Sequence, residues 1–129
     1  MKANELRIGN LIYSSSGGVK YVVGTSYKTI LHSSSLESYT YYEDYDSNCE
    51  PIPLTEEILL KCGFYYSDDD DEFLEYKVFK SFKFHADYSD KFSCISYRIN
   101  DTTNEIKFLH QLQNLYWCLC GEELTFNNL

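Results

Sequence analysis

Three groups of side chains in this sequence could do chemistry. The first is an unbroken acid run, Asp68, Asp69, Asp70, Asp71 and Glu72. Clustered carboxylates can hold a divalent cation or imitate a phosphate backbone. An EF-hand loop, however, needs a glycine and a distal glutamate at fixed spacing, and this run has neither. It reads as a solvated acidic tip, because like charges in a block repel and seek water. The second group is His110, Gln113, Asn114 and Trp117, which recur at helical spacing. A tryptophan on a polar stripe is the kind of residue that anchors a protein partner. His110 has no serine or cysteine nucleophile motif beside it, so no acid–base role is assigned to it. The third group is Lys77, Lys80 and Lys83 with His85 beside Phe79. Basic strips with stacking aromatics track single-stranded nucleic acid. The acidity of the chain favours instead the solvated face of an amphipathic sheet.

Phosphate-cradling glycine loops, HExxH and GxSxG are all absent from the sequence. No catalytic residue and no cofactor is therefore expected. Five cysteines occur, Cys49, Cys62, Cys94, Cys118 and Cys120, with no CxxC pair. An odd, unpaired set reads as free thiols in a reducing compartment. Cys94, Cys118 and Cys120 sit among large apolar residues, where a thiol acts as a small hydrophobe. His32, His85 and His110 stand apart from one another, and no metal site is expected.

These groups must be positioned by elements that the pattern predicts. Residues 6–13 alternate and a Ser/Gly turn follows. Residues 19–25 form a β-branched run, and 27–32 and 39–45 read as further short strands. Short strands with Gly/Ser turns predict a small barrel over residues 1–50, whose opening pattern resembles SH3-like hairpins. Residues 55–62 read as a helix with Thr55 as N-cap, two glutamates in the first turn, and Gly63 as C-cap. Residues 74–86 alternate as one long strand, or as two broken near Lys80, and 95–99 as another. Residues 101–104 read as a turn. A second helix is predicted over 109–120, with an apolar stripe of Phe108, Leu112, Leu115, Tyr116 and Leu119 ending at Gly121. Residues 122–126 read as a short edge strand. Connections too short for parallel crossovers give an α+β class. The expected architecture is one domain, 1–129, with an SH3-like subdomain (1–50) joined to an antiparallel meander with two helices (51–129).

The chain has 129 residues, a net charge of −9, 43% apolar residues and thirteen tyrosines. It is too apolar to be disordered, and its acidity disfavours nucleic acid as a partner. The start lacks the apolar run of a signal peptide, and the longest apolar stretch, 108–120, is broken by polar residues. A cytoplasmic, membrane-free protein is the expectation. The acidity is local. Residues 51–76 hold one basic and eight acidic side chains, whereas 77–129 hold six of each.

Three segments taken together carry a resemblance. They are Asn4-Glu5-Leu6-Arg7-Ile8-Gly9-Asn10-Leu11-Ile12, then Pro53-Leu54-Thr55-Glu56-Glu57-Ile58-Leu59-Leu60-Lys61-Cys62-Gly63-Phe64, then His110-Gln111-Leu112-Gln113-Asn114-Leu115-Tyr116 continuing to Gly121-Glu122-Glu123-Leu124. This order resembles a group of small proteins of gut anaerobes, their phages and prophages. The group carries no assigned activity, so no site residue transfers. The resemblance implies a small accessory protein of a phage or mobile element. The leading functional expectation is a non-catalytic module binding a protein partner from the host. Its expected face is His110, Gln113, Asn114 and Trp117. The alternatives are an acidic nucleic-acid mimic acting through Asp68 to Glu72, and a nucleic-acid-binding barrel using the lysine strip.

Overall fold

The alternating runs and glycine turns of the first fifty residues do form strands, three of them shorter than the pattern suggests and the second one residue longer. The computed structural model describes residues 1–67, 70–79, 82–99 and 102–127. The chain divides into two compact units, Met1–Ile52 and Pro53–Leu129.

In the first unit, β1 (Leu11–Tyr13), β2 (Val19–Ser26), β3 (Thr29–Ser33) and β4 (Tyr42–Tyr45) form an antiparallel meander in sequence order. Gly17, at φ +85°, closes the turn after β1. The β2–β3 hairpin turns on Tyr27 and Lys28, with Lys28 in the left-handed region at φ +65°. One face of the sheet buries Ile12, Val22 and Ile30 against Ala3 and Cys49, with Met1 and Leu6 packed beside them. Burial of side chains of this size stabilises by about 1.5–3 kcal/mol each.

Beyond β4, a 3₁₀ turn (Asp46–Asn48) returns the chain to the edge of β1. There the Tyr13 and Glu50 backbones exchange hydrogen bonds of 2.9 and 3.0 Å. The pairing there is a single isolated bridge and not a strand. The expected barrel is therefore corrected. Among the described residues the sheet is open, with β1 and β4 at its edges.

The second unit holds α1 (Glu56–Lys61), β5 (Tyr65–Ser67), β6 (Asp70–Phe79), β7 (Phe82–Asp87), β8 (Ile95–Ile99), β9 (Thr102–Ile106) and α2 (Leu109–Cys120). The five strands form a second antiparallel meander. The protein is thus α+β, with two antiparallel sheets and two α-helices. Thr55 Oγ1 accepts the Ile58 N–H at 3.2 Å, as an N-cap should. The C-cap is Cys62, and Gly63 follows it at φ +98°, one position later than the pattern suggests. Alternation along the strands buries Leu74, Phe84, Ala86 and Ile95 on one face. The Phe84 ring lies 6.4 Å from Phe64, 5.5 Å from Phe82 and 6.1 Å from Tyr97. Helix α2 meets β6 edge-to-face through Tyr116 and Tyr76, 5.8 Å apart.

Three further expectations are corrected. Residues 102–106 are a strand rather than a turn, paired to β8 along its length. Residues 122–126 form no strand. Leu124 is buried there, and the Asn127 N–H donates to the Lys61 carbonyl at 3.0 Å. The acid run is not wholly a loop, since Asp70, Asp71 and Glu72 open β6. No helix among the described residues is long and apolar enough to cross a membrane.

Candidate functional site

The helix stripe is divided by burial. His110 and Gln113 are 2% and 1% exposed, whereas Trp117 is 41% exposed and Asn114 is half-buried. All four share one azimuth of α2, but azimuth alone does not decide exposure. The first turn of the helix is enclosed on most sides, with Leu109 and Leu112 buried beside His110 and Gln113. His110 also stacks on Phe108 at 6.1 Å. The last turn emerges, so Trp117 and Cys118 are exposed. Of the four residues of the expected contact face, the structure thus leaves Trp117 exposed and Asn114 half-buried and encloses His110 and Gln113.

The acid run is described only from Asp70 onward. Asp68 and Asp69 lie outside the described residues, as do the side chains of Asp70 and Asp71, and Glu72 is exposed. The lysine strip is similarly reduced. Lys80 and the side chains of Lys77 and Phe79 lie outside the described residues. Lys83 and His85 stand on the polar face of the second sheet. Both face Glu75 of β6, at 3.8 and 3.7 Å. The Lys83 charge is thus drawn toward a carboxylate of the same face.

The cysteines reverse the order their neighbours suggest. Cys49 and Cys62 are buried, Cys94 and Cys120 are half-buried, and Cys118 is exposed. Burial, reinforced by the Asp44 and Asp46 carboxylates, pushes the Cys49 thiol up to about 11. Burial alone pushes Cys62 up to about 12. Neither is a thiolate nucleophile at neutral pH.

One polar cluster escaped the sequence reading. His32 on β3 and Asp44 on β4 lie on the same face of the first sheet, diagonal across the pairs His32–Tyr42 and Ile30–Asp44. The buried His32 ring meets the Asp44 carboxylate at 2.7 Å through Nε2. The Ser15 hydroxyl donates to both Asp44 oxygens at 3.0 Å. The His32 hydrogen bond, with Ser15 adding to it, holds the Asp44 carboxyl below its usual range. Serine here faces the carboxylate rather than the imidazole. The arrangement clamps the β1–β2 turn and β3 onto β4, and does not activate a hydroxyl for attack.

The clamp fixes β4, which carries exposed tyrosines at both ends and has others near it in the chain and across the β2–β3 turn. Tyr27, Tyr39, Tyr41, Tyr42 and Tyr45 are all at least 60% exposed. Tyr27 and Tyr45 also line a cleft of about 530 Å³ with Lys2, Lys28 and Asp46. The Asp46 carboxylate accepts the Ala3 N–H at 3.0 Å, which pins the N-terminal turn against this cleft. The tyrosine excess was plain in composition, but only the meander shows that five of these residues flank one sheet edge. No family model, curated protein or solved structure matches the chain.

Proposed function

We propose that this chain is a non-catalytic protein-interaction module whose contact surface is the tyrosine-rich β4 side of the first unit. The observation that carries the reading is the set of five exposed tyrosines around that one edge strand. Tyrosine offers a large contact area and a polar tip at small entropic cost, and contiguous exposed aromatics mark interaction surfaces. The resemblance to phage and prophage proteins of gut anaerobes suggests an accessory role in a bacterial host. Five free thiols support a reducing cytoplasm. Trp117 remains a second candidate anchor. The nucleic-acid reading draws less support, since Lys83 and His85 face Glu75.

The test is affinity capture from host lysate with the intact chain, beside Tyr42→Ser combined with Tyr45→Ser, and beside Trp117→Ala. Loss of anchor aromatics should weaken capture about tenfold or more in the tyrosine variant while circular dichroism stays unchanged. A folded tyrosine variant that captures the same partner equally well would overturn the reading.

A further inference from the structure

We infer that the partner presents an extended, basic segment that adds to the first sheet as a fifth strand beside β4. This rests on the interaction reading above and specifies its chemistry.

The first argument is the edge itself. β4 ends the strand order, and only β3 pairs with it among the described residues. The Asp46 N–H donates inward to the Lys28 carbonyl at 2.9 Å. Backbone groups alternate along a strand, so those of Asp44 also point inward and those of Glu43 and Tyr45 point outward. An outward row of donors and acceptors is what an added strand pairs with. The opposite edge, at β1, is already met by Glu50.

The second argument is charge. β4 and its flanks, residues 37–46, contain Glu37, Glu43, Asp44 and Asp46 and no lysine or arginine, and Lys28 of the neighbouring turn lies over the Tyr27 ring. Natural edges are commonly guarded by lysine or proline, and β4, of sequence Tyr42-Glu43-Asp44-Tyr45, has neither. A second copy of the chain fits poorly. Antiparallel β4–β4 pairing would set Glu43 against Asp44 or against its own counterpart, and like charges directly opposite destabilise a sheet. A strand with arginine or lysine at alternate positions fits well. Glu43 and Tyr45 project from one face of the sheet, where Glu43 offers a carboxylate and Tyr45 a ring face for a cation.

The experiment uses the intact protein and a fluorescent peptide of alternating arginine and valine. Its comparators are the same peptide N-methylated at every second residue, and an alternating glutamate–valine peptide. The arginine peptide should bind. N-methylation, which keeps the charge but removes edge donors, should weaken binding about tenfold or more, as should Glu43→Lys. Hydrogen exchange should slow at the Glu43 and Tyr45 amides. Equal binding of the N-methylated peptide would overturn strand addition, leaving only charge attraction. No binding, or protection confined to the acidic residues of β6, would also overturn it. So would a dimer in sedimentation that already occupies the edge. If the peptide fails while the tyrosine variant still loses its captured partner, this inference falls and the interaction reading stands.

Discussion

Asp44 is the residue on which the order of the first unit turns. It joins His32 of β3 to Ser15 of the β1–β2 turn, and it sits on the edge strand β4. Its carboxyl is held below the ordinary range, first by the His32 hydrogen bond and then by Ser15. The ionised form is therefore favoured by folding, and its contribution is present above the unfolded carboxylate value. That contribution disappears as pH falls through the lowered folded value. Asp44→Asn should cost about 1–2 kcal/mol near neutral pH, a figure reduced because the carboxylate is partly exposed. The gap between wild type and variant should close below about pH 4. Denaturant unfolding at a series of pH values measures this, and a gap independent of pH would exclude the ionised carboxylate as its source. The pair was not legible in the sequence. Twelve positions separate His32 from Asp44, and only the register of β3 on β4 brings them together.

At the scale of elements, legibility followed how local the cause is. Helix α1 was readable because its signals are contiguous: Thr55 before two glutamates, then apolar residues, then Gly63. Loss of the Thr55 side-chain hydrogen bond to Ile58 should cost about 1 kcal/mol in Thr55→Ala, and Thr55→Ser should retain most of it. The urea midpoint reports both variants, and equal loss in the two would assign the effect to the threonine methyl instead. The span of α2 was equally readable, because a 3.6-residue period and Gly121 are local too. Its burial was not. Of the apolar stripe Phe108, Leu112, Leu115, Tyr116 and Leu119, Leu112 is fully buried and the other four are half-buried, whereas Leu109, His110 and Gln113 beside the stripe are enclosed. What surrounds a helix turn is decided by other segments. β9 was missed for a related reason. Thr102, Thr103, Asn104 and Glu105 look like a turn, and their strand character comes from pairing with β8. The barrel was over-read because alternation and turn residues specify strands but not whether the chain returns along β1, where only the isolated Tyr13–Glu50 bridge forms.

At the scale of the molecule, charge is unevenly placed. Residues 51–76 carry −7 of the −9 total, residues 1–50 carry −2 and residues 77–129 are balanced. Crowded carboxylates oppose the folded state, and added salt screens them within a Debye length of about 8–10 Å. Raising sodium chloride from low ionic strength to about 0.2 M should therefore raise the thermal midpoint by roughly 2–4 °C, an effect of under about 1 kcal/mol. An unchanged midpoint would mean that these carboxylates are already compensated within the fold.

The edge of β4 has a consequence for how the protein behaves in the tube. Its outward backbone groups are shielded from other copies by the charge of Glu43 and Asp44 rather than by a proline or a lysine on the strand. Such a guard works only while it is ionised. In concentrated acidic solution the boundary of the sheet becomes a seam, along which copies can zip into continuous ribbons. Mildly alkaline, dilute storage preserves the separation that recognition of a basic strand requires.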